Sequence, residues 1–322
     1  MILPKSLTAD WAEAESKHPR FAQLIKQMGD LDPLPTAVVH PTDRDSLLGA
    51  LAAAEDDTIT PILVGPRQKI EAAAAEAHVD LEKMEIVDAA YSHDAANKAV
   101  ALAHDGKVKA LMKGSLHSDE LLHAAMSRDR GLRTERRISH IFIMDVPSYH
   151  KLLAITDAAV NITPSLDDKR SMTQNAIDMM RAIGVERPKV AILSAVEVVT
   201  GKMPSTLDAA ALCKMADRGQ ITGGLLDGPL AFDNAISSDA AKTKHIVSEV
   251  AGDPDILVTP DIDAGNMLSK QLTFLSGAVA AGIVLGARVP IMLTSRADPV
   301  LARRASAAAA VAAAVAGAGT GK

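Results

Sequence analysis

The sequence predicts a two-domain α/β protein with mostly parallel sheets, and three observations carry that expectation. The chain has 322 residues, 48% of them hydrophobic, which is more than one core ordinarily holds. Short, continuous apolar runs rich in Val, Ile and Leu recur along it, as in strands buried on both faces. Helical stretches of about ten to fifteen residues separate these runs, which is the rhythm of repeated βαβ units.

Taken in order, a helical opening over 8–28 leads to the β-branched run TAVVH (36–40), then to a helix that Asp43 can cap, with Leu and Ala at helical spacing. ITPILVG (59–65) ends in the Gly-Pro punctuation that stops a strand. Helix 66–77, strand MEIVDA (84–89), helix 92–104 and strand VKALMKG (108–114) complete the first series. The charged stretch RDRGLRTERR (128–137) interrupts it. The rhythm then restarts with SHIFIMDV, KLLAITDAAV, helix 167–184, KVAILSA, helix 205–217, ITGGLLDG, helix 238–250, DILVTPD, helix 264–279 and the pair GIVLG and VPIMLTS. The predicted domains are therefore residues 1–137 and 138–297, with the last helix, within 298–322, packing back on the first. No internal repeat is visible.

Composition excludes several functions. No apolar run reaches the roughly 18 residues of a membrane span, and MILPKSLTADWAEAE turns polar too early for a signal peptide. A single cysteine, Cys213, rules out a disulfide framework or a multi-cysteine metal site, and a cytoplasmic setting is expected. The net charge of −6 comes from 34 basic and 40 acidic residues mixed along the chain, so no basic stripe awaits a nucleic acid.

In open α/β sheets the ligands sit at the carboxyl ends of the strands, so the residues there are the candidates. Lys113, Gly114, Ser115 and His117 follow a strand and precede a helix, with Ser118 or Asp119 as its cap. Helix-start N–H groups and the Lys113 charge suit an anion, although the same residues also make an ordinary βα turn, and GxxxxGK[ST] is absent. Asp227 closes a predicted strand before Gly228-Pro229, either orienting a ligand or forming a turn. Asp261, Asp263, Gly265 and Asn266 surround a helix start; the remaining ligands of a calcium loop are missing, and no metal site is expected. Gly265 and Asn266 would let a ligand approach that helix closely. Ser295 and Arg296 end the final strand, before Asp298 and Pro299, the latter at a plausible first helical position. A guanidinium there is a good phosphate seat, while an Arg296–Asp298 pair closing the loop is the competing interpretation. Cys213, within a predicted helix and with no base adjacent, reads as a small buried hydrophobe. The arginines 128, 130, 133, 136 and 137 read as a solvated face from which one or two side chains could reach a phosphate.

In this order, KGSLHSDELL, SHIFIMD, TDAAVNITP, KVAILSAVE, DGPLAFDNAIS, AGDPDILVTPDIDAGNMLSKQL and GIVLGARVPIMLTSRAD resemble the phosphate acetyltransferase and phosphate butyryltransferase family over some 190 residues. DGPLAFDNA and LTSRAD look closer to the butyryltransferase branch and to the transferase half of the bifunctional enoyl-CoA hydratase/phosphate acetyltransferase proteins, so a C3–C4 or short-branched acyl group is expected over acetyl. The resemblance implies a two-domain fold like that of isocitrate and isopropylmalate dehydrogenases, with an interdomain cleft, and a homodimer or higher homo-oligomer. It implies reversible transfer of an acyl group between CoA and inorganic phosphate, with CoA as substrate and no tightly bound cofactor. It places Ser295 and Arg296 in the family's Ser-Arg motif, on the phosphoryl group or the reacting carbonyl. The family's Asp seven residues past that Ser, proposed as base for the CoA thiol, is replaced here by Ala302. Asp298 or Asp227 is then the candidate base, or positioning alone suffices, since a thiol already supplies some thiolate near neutrality.

Three alternatives compete with this assignment. They are a phosphate acyltransferase using acyl carrier protein, a metal-dependent dehydrogenase of the same fold, and a non-catalytic acyl-CoA or phosphate-binding protein. Phosphate-dependent release of CoA separates the transferase from all three.

Overall fold

A computed structural model of the chain describes residues 12–295 and 298–318, which form two compact units, one of residues up to 136 together with those from 281 onward, the other of residues 137–280. Both are mixed α/β, and parallel pairings predominate in each.

In the first unit, residues 12–17 are helical (α1), and α2 (Pro19–Gly29), β1 (Leu34–Val39), α3 (Arg44–Glu55), β2 (Ile59–Gly65), α4 (Arg67–Ala77), β3 (Glu85–Asp88), α5 (Ser92–His104), β4 (Ala110–Lys113) and α6 (Ser118–Ala125) follow. Residues 281–285 of β10 (Val279–Leu285), then β11 (Ile291–Met292) and α12 (Val300–Ala316), complete it. Strand order is β3-β2-β1-β4-β11-β10, parallel except that β10 runs antiparallel to β11. The register pairs Val39 with Lys113 and Met112 with Met292. The carboxyl ends of β1, β4 and β11 therefore lie side by side, about 4.8 Å apart per strand. Asp43 fixes the start of α3 by accepting the Ser46 N–H at 2.8 Å, a cap worth about 1 kcal/mol.

The predicted helix 8–28 is interrupted at His18. Pro19 opens α2, where its missing N–H costs no intrahelical bond. Pro299 likewise precedes α12 as its N-cap and is not its first residue. The alanines of α12 are buried as far as Ala313, and the helix packs on α2 and α3. Arg304 anchors it, with Nε and Nη2 donating to the Asp56 carboxylate at 2.6 and 2.7 Å and Nη1 2.7 Å from Glu15. The division between units falls within β10, so the described residues 281–295 join the first unit and not the second, where the sequence placed them. The reason is pairing: β11 is too short to stand alone and takes β4 as its parallel neighbour.

The second unit comprises β5 (Ser139–Asp145), β6 (Leu153–Thr156), α7 (Leu166–Ala182), β7 (Lys189–Leu193), α8 (Pro204–Asp217), β8 (Leu225–Leu230), α9 (Phe232–Ile236), α10 (Ser238–Thr243), β9 (Ile256–Val258) and α11 (Ile262–Ser276). Its order is β5-β6-β9-β7-β8, with only the β5–β6 pair antiparallel. Met144, Leu153, Ile155, Leu193 and Leu257 form its core, each such side chain contributing about 1.5–3 kcal/mol on burial. A capping box between Ser165 and Asp168 begins α7.

Two expectations change here. The helix read over 238–250 stops at Thr243, because His245 adopts a left-handed backbone conformation, φ 56°, that ends the turn. The strand read as ending at Asp227 continues to Leu230, with Asp227 opposite Ala191 and a register shift before Leu193. Gly228-Pro229 is tolerated because β8 is an edge strand, where a proline removes no needed ladder bond.

Candidate active site

The adjacent ends of β1, β4 and β11 bring together side chains from distant parts of the first unit. Lys113 is buried and points its Nζ at the carbonyls of Gly114 and Thr294, each 3.4 Å away. Gly114 is required by crowding: a Cβ there would stand 2.5 Å from Val39 O and 2.7 Å from His40 O. The Ser115 hydroxyl lies 2.7 Å from Thr42 Oγ1 and donates to His40 O at 3.2 Å. His117 is exposed and occupies the N-cap position of α6 without a side-chain cap bond, so neither Ser118 nor Asp119 serves as predicted.

Beside β4, the chain leaving β11 is gripped from several sides. Asp298 Oδ2 accepts the Ser295 N–H at 2.6 Å, and the Asp298 N–H donates back to Ser295 O at 3.2 Å. The Arg303 guanidinium, 4% exposed, donates from Nη1 to Thr294 Oγ1 at 3.1 Å and from Nη2 to Ser295 O at 3.2 Å. Burial raises the Asp298 carboxyl pKa, against the opposing pull of the Ser295 N–H, Arg303 and Lys113. Burial also lowers that of Arg303, opposed by Asp298, Asp43 and Asp45. Ser295 itself is exposed and lies three residues past the end of β11, so it does not end the strand as expected. Arg296 lies outside the described residues. Ala302, at the place of the family's Asp, is fully buried.

Sequence reasoning missed Arg303, Thr294, His40 and Thr42. The one available signal for Arg303 was the Arg-Arg pair at the head of an otherwise alanine-dominated helix. His40 sits at the end of β1 with φ 57°, its Nδ1 3.3 Å from Thr42 Oγ1, and burial and then Lys69 hold its imidazole pKa below the ordinary histidine range.

In the second unit, the predicted substrate-binding residues have visible structural tasks. Asp261 caps α11 by accepting the Ala264 N–H at 2.9 Å. A Cβ on Gly265 would overlap Asp157 O and stand 2.8 Å from Thr259 Oγ1. Asn266 donates to Ala158 O at 3.0 Å. Asp157 is buried and accepts the backbone N–H groups of His140, Ala159, Val160 and Asn161 as well as the Asn161 amide. Asn161 in turn holds Arg137, whose Nε donates to its Oδ1 at 2.8 Å.

Asp227 lies within β8 and turns its Oδ1 onto the Gly228 N–H, 2.8 Å away, while Gly228 O faces Cys213 Sγ at 3.7 Å. Burial first, then Asp227 and Asp217, pushes the Cys213 thiol up to about 12, so it stays protonated near neutrality. Cys213→Ala is expected to retain most activity. Loss of activity in a folded variant would restore the thiol to the chemistry. At the carboxyl ends of β7 and β9 the unit also contains an apolar hollow of about 610 Å³, lined by Ser194, Phe232, Thr259, Pro260, Met267 and Gln271 among others. Among the described residues no cluster of three or more His, Cys, Asp or Glu could hold a metal ion, and no helix is long and apolar enough to cross a membrane.

The sequence matches the family described as Phosphate acetyl/butaryl transferase over residues 90–313. It is 59% identical over 298 residues to a phosphate acetyltransferase of Rhizobium meliloti, covering 92% of this chain and 93% of that one. To a phosphate butyryltransferase of Clostridium acetobutylicum it is 39% identical over 278 residues, covering 86% and 92%. Among solved structures, a branched-chain phosphotransacylase from Enterococcus faecalis V583 superposes with a TM-score of 0.76 at 27% identity, covering 87% of this chain and 99% of that one.

Proposed function

Because the chain belongs to the phosphate acetyl/butyryl transferase family, we propose that it moves a short acyl group reversibly between CoA and inorganic phosphate, acyl-CoA plus phosphate giving acyl phosphate plus CoA. The observation that carries the assignment is the convergence of Lys113, Asp298 and Arg303 on residues 294–295, the two that lead into Arg296. Three side chains that fix one short segment at adjacent strand ends are what an anion-binding loop needs to keep its geometry.

In this proposal Arg296 and Ser295 hold the phosphoryl group and the carbonyl oxygen of the thioester. A phosphate oxygen attacks the carbonyl carbon, the tetrahedral oxyanion is stabilised by fixed donors, and the C–S bond breaks to release CoA thiolate. Lys113 brings its amino group beside the site, where Nζ faces the carbonyls of Gly114 and Thr294. Transfer is direct in a ternary complex, in keeping with the protonated Cys213. Intersecting initial-rate lines with varied acyl-CoA and phosphate are expected, whereas parallel lines would indicate a covalent intermediate.

Of the two candidate bases, Asp298 is preferred to Asp227. Asp298 touches Ser295, whereas Asp227 lies within β8 beside Cys213. In the CoA-consuming direction its carboxylate accepts the thiol proton. As pH falls through its raised pKa it becomes protonated and loses that capacity. Asp298→Asn is therefore expected to lower turnover by about tenfold, roughly 1.4 kcal/mol, and to flatten the acid limb of the pH profile. An unchanged acid limb would remove Asp298 from proton transfer.

The relatives weigh against the butyryl preference expected from DGPLAFDNA and LTSRAD, since the acetyltransferase is far more similar than the butyryltransferase. Acetyl-CoA is the proposed donor. Each methylene that a pocket can bury contributes about 0.8 kcal/mol, while one it cannot fit costs 1–3 kcal/mol, so a graded preference is expected. Comparing kcat/KM for acetyl-, propionyl- and butyryl-CoA with phosphate tests both the activity and the preference. A butyryl advantage of tenfold would restore the butyryl assignment, and no acyl phosphate from any donor would end the transferase proposal.

CoA and acyl-CoA act here as substrates, with no tightly bound cofactor, in the cytoplasm. A homodimer is the proposed assembly, supported by the exposed Met267, Phe274 and Leu275 of α11. Sedimentation at micromolar concentration should give a dimer mass, and a monomer would contradict it.

A further inference from the structure

We infer that Arg303 is a positioning residue for the Thr294-Ser295 segment, and that Gly49, more than 250 positions earlier, is the clearance that lets it act. This rests on the proposed placement of the reaction at Ser295 and Arg296. Arg303 starts from the first turns of α12 and ends at Thr294 and Ser295, where its two terminal nitrogens take separate acceptors, one a side chain and one a carbonyl. A guanidinium can span both at once because its donors form a rigid planar fork, which an ammonium lacks. Asp298 grips the same Ser295 by its N–H. Thr294 and Ser295 are thus held through side chain, carbonyl and amide together.

The route of the arginine is as specific as its destination. Gly49 lies in the interior of α3, where glycine costs roughly 1 kcal/mol relative to alanine, so its presence there needs a reason. A Cβ at that position would overlap Arg303 Cδ outright and stand 3.1 Å from Cγ and Nε. The obstructed atom is in the middle of the arginine and its head is anchored, so the side chain cannot yield without releasing Thr294 or Ser295. α3 and α12 pack on each other along this contact. The helix that carries Gly49 therefore guides an arginine to the loop that carries the reaction, although neither Gly49 nor Arg303 needs to touch substrate.

The test is a double-mutant cycle in the full chain, with acetyl-CoA and phosphate as probes and folding checked by circular dichroism. Arg303→Ala should reduce kcat/KM for phosphate at least tenfold, chiefly through KM, and Arg303→Lys should fall between it and the parent. Gly49→Ala should cost at least fivefold in the parent but less than twofold when combined with Arg303→Ala, because the obstructed side chain is then already gone. A purely structural role would leave the phosphate KM of the folded variants unmoved. Arg303→Ala within twofold of the parent, or equal Gly49→Ala effects in both backgrounds, overturns the inference. If Arg303→Ala does not fold, Arg303→Lys and Gly49→Ala decide it, and unchanged phosphate KM in both is the overturning result. Arg296→Lys assayed alongside separates the two levels. Damage there with an intact Arg303→Ala refutes positioning alone, whereas no damage in either refutes the placement of the site.

Discussion

Arg296→Lys is expected to lower turnover at least tenfold while leaving the folded state intact. The residue follows the segment that Lys113, Asp298 and Arg303 fix, so the backbone delivering it starts from a defined place. A planar guanidinium offers two parallel donors to a phosphate or an oxyanion, and lysine replaces them with a single mobile point charge. Losing one charge-assisted contact of that kind costs about 1.5–3 kcal/mol, and each 1.4 kcal/mol is a factor of ten in rate. Steady-state kinetics with a circular dichroism control measures it. Kinetics within twofold of the parent would remove Arg296 from the site and leave Ser295 as an ordinary loop serine.

Gly265→Ala should be the most disruptive small substitution in the second unit. The sequence suggested that this glycine lets a ligand approach the start of α11, but the space is taken by the chain itself. The new methyl would overlap Asp157 O and press on Thr259 Oγ1, which donates to that same carbonyl at 3.1 Å. Neither is the end of a flexible side chain. Asp157 is held by five donors, so its backbone cannot move without breaking several bonds. Overpacking of this sort costs about 1–3 kcal/mol, or roughly 2–4 °C of melting temperature per kcal/mol in a domain of this size. Thermal melts followed by circular dichroism give the result. A melting temperature equal to the parent's would show that the contact relaxes freely.

The alternation of β-branched runs with helices was legible because each period reflects one element: Lys113 ends β4 as expected, whereas Ser295 lies three residues beyond the two-residue β11. Single turns were less legible. Gly228-Pro229 has the local signature of a turn, yet an edge strand absorbs it, and edge position is a property of the whole sheet that local sequence does not carry. The grip on residues 294–295 was half legible. Ser295 and Asp298 are near neighbours in sequence, whereas Lys113 and Arg303 reach Thr294 only after the chain has brought β4, β11 and α12 together. Gly49 was invisible for the same reason. Within LLGALAAA it looks like one more small residue, and its purpose appears only when α12 lies against α3.

The central claim is that phosphate is the acyl acceptor, and one measurement addresses it directly: free thiol released from acetyl-CoA, followed with increasing inorganic phosphate. Release that saturates with phosphate, is negligible without it, and is matched one for one by acetyl phosphate is the expected result. Thiol release at the same rate without phosphate, or none at any phosphate concentration with a folded protein, would contradict the claim.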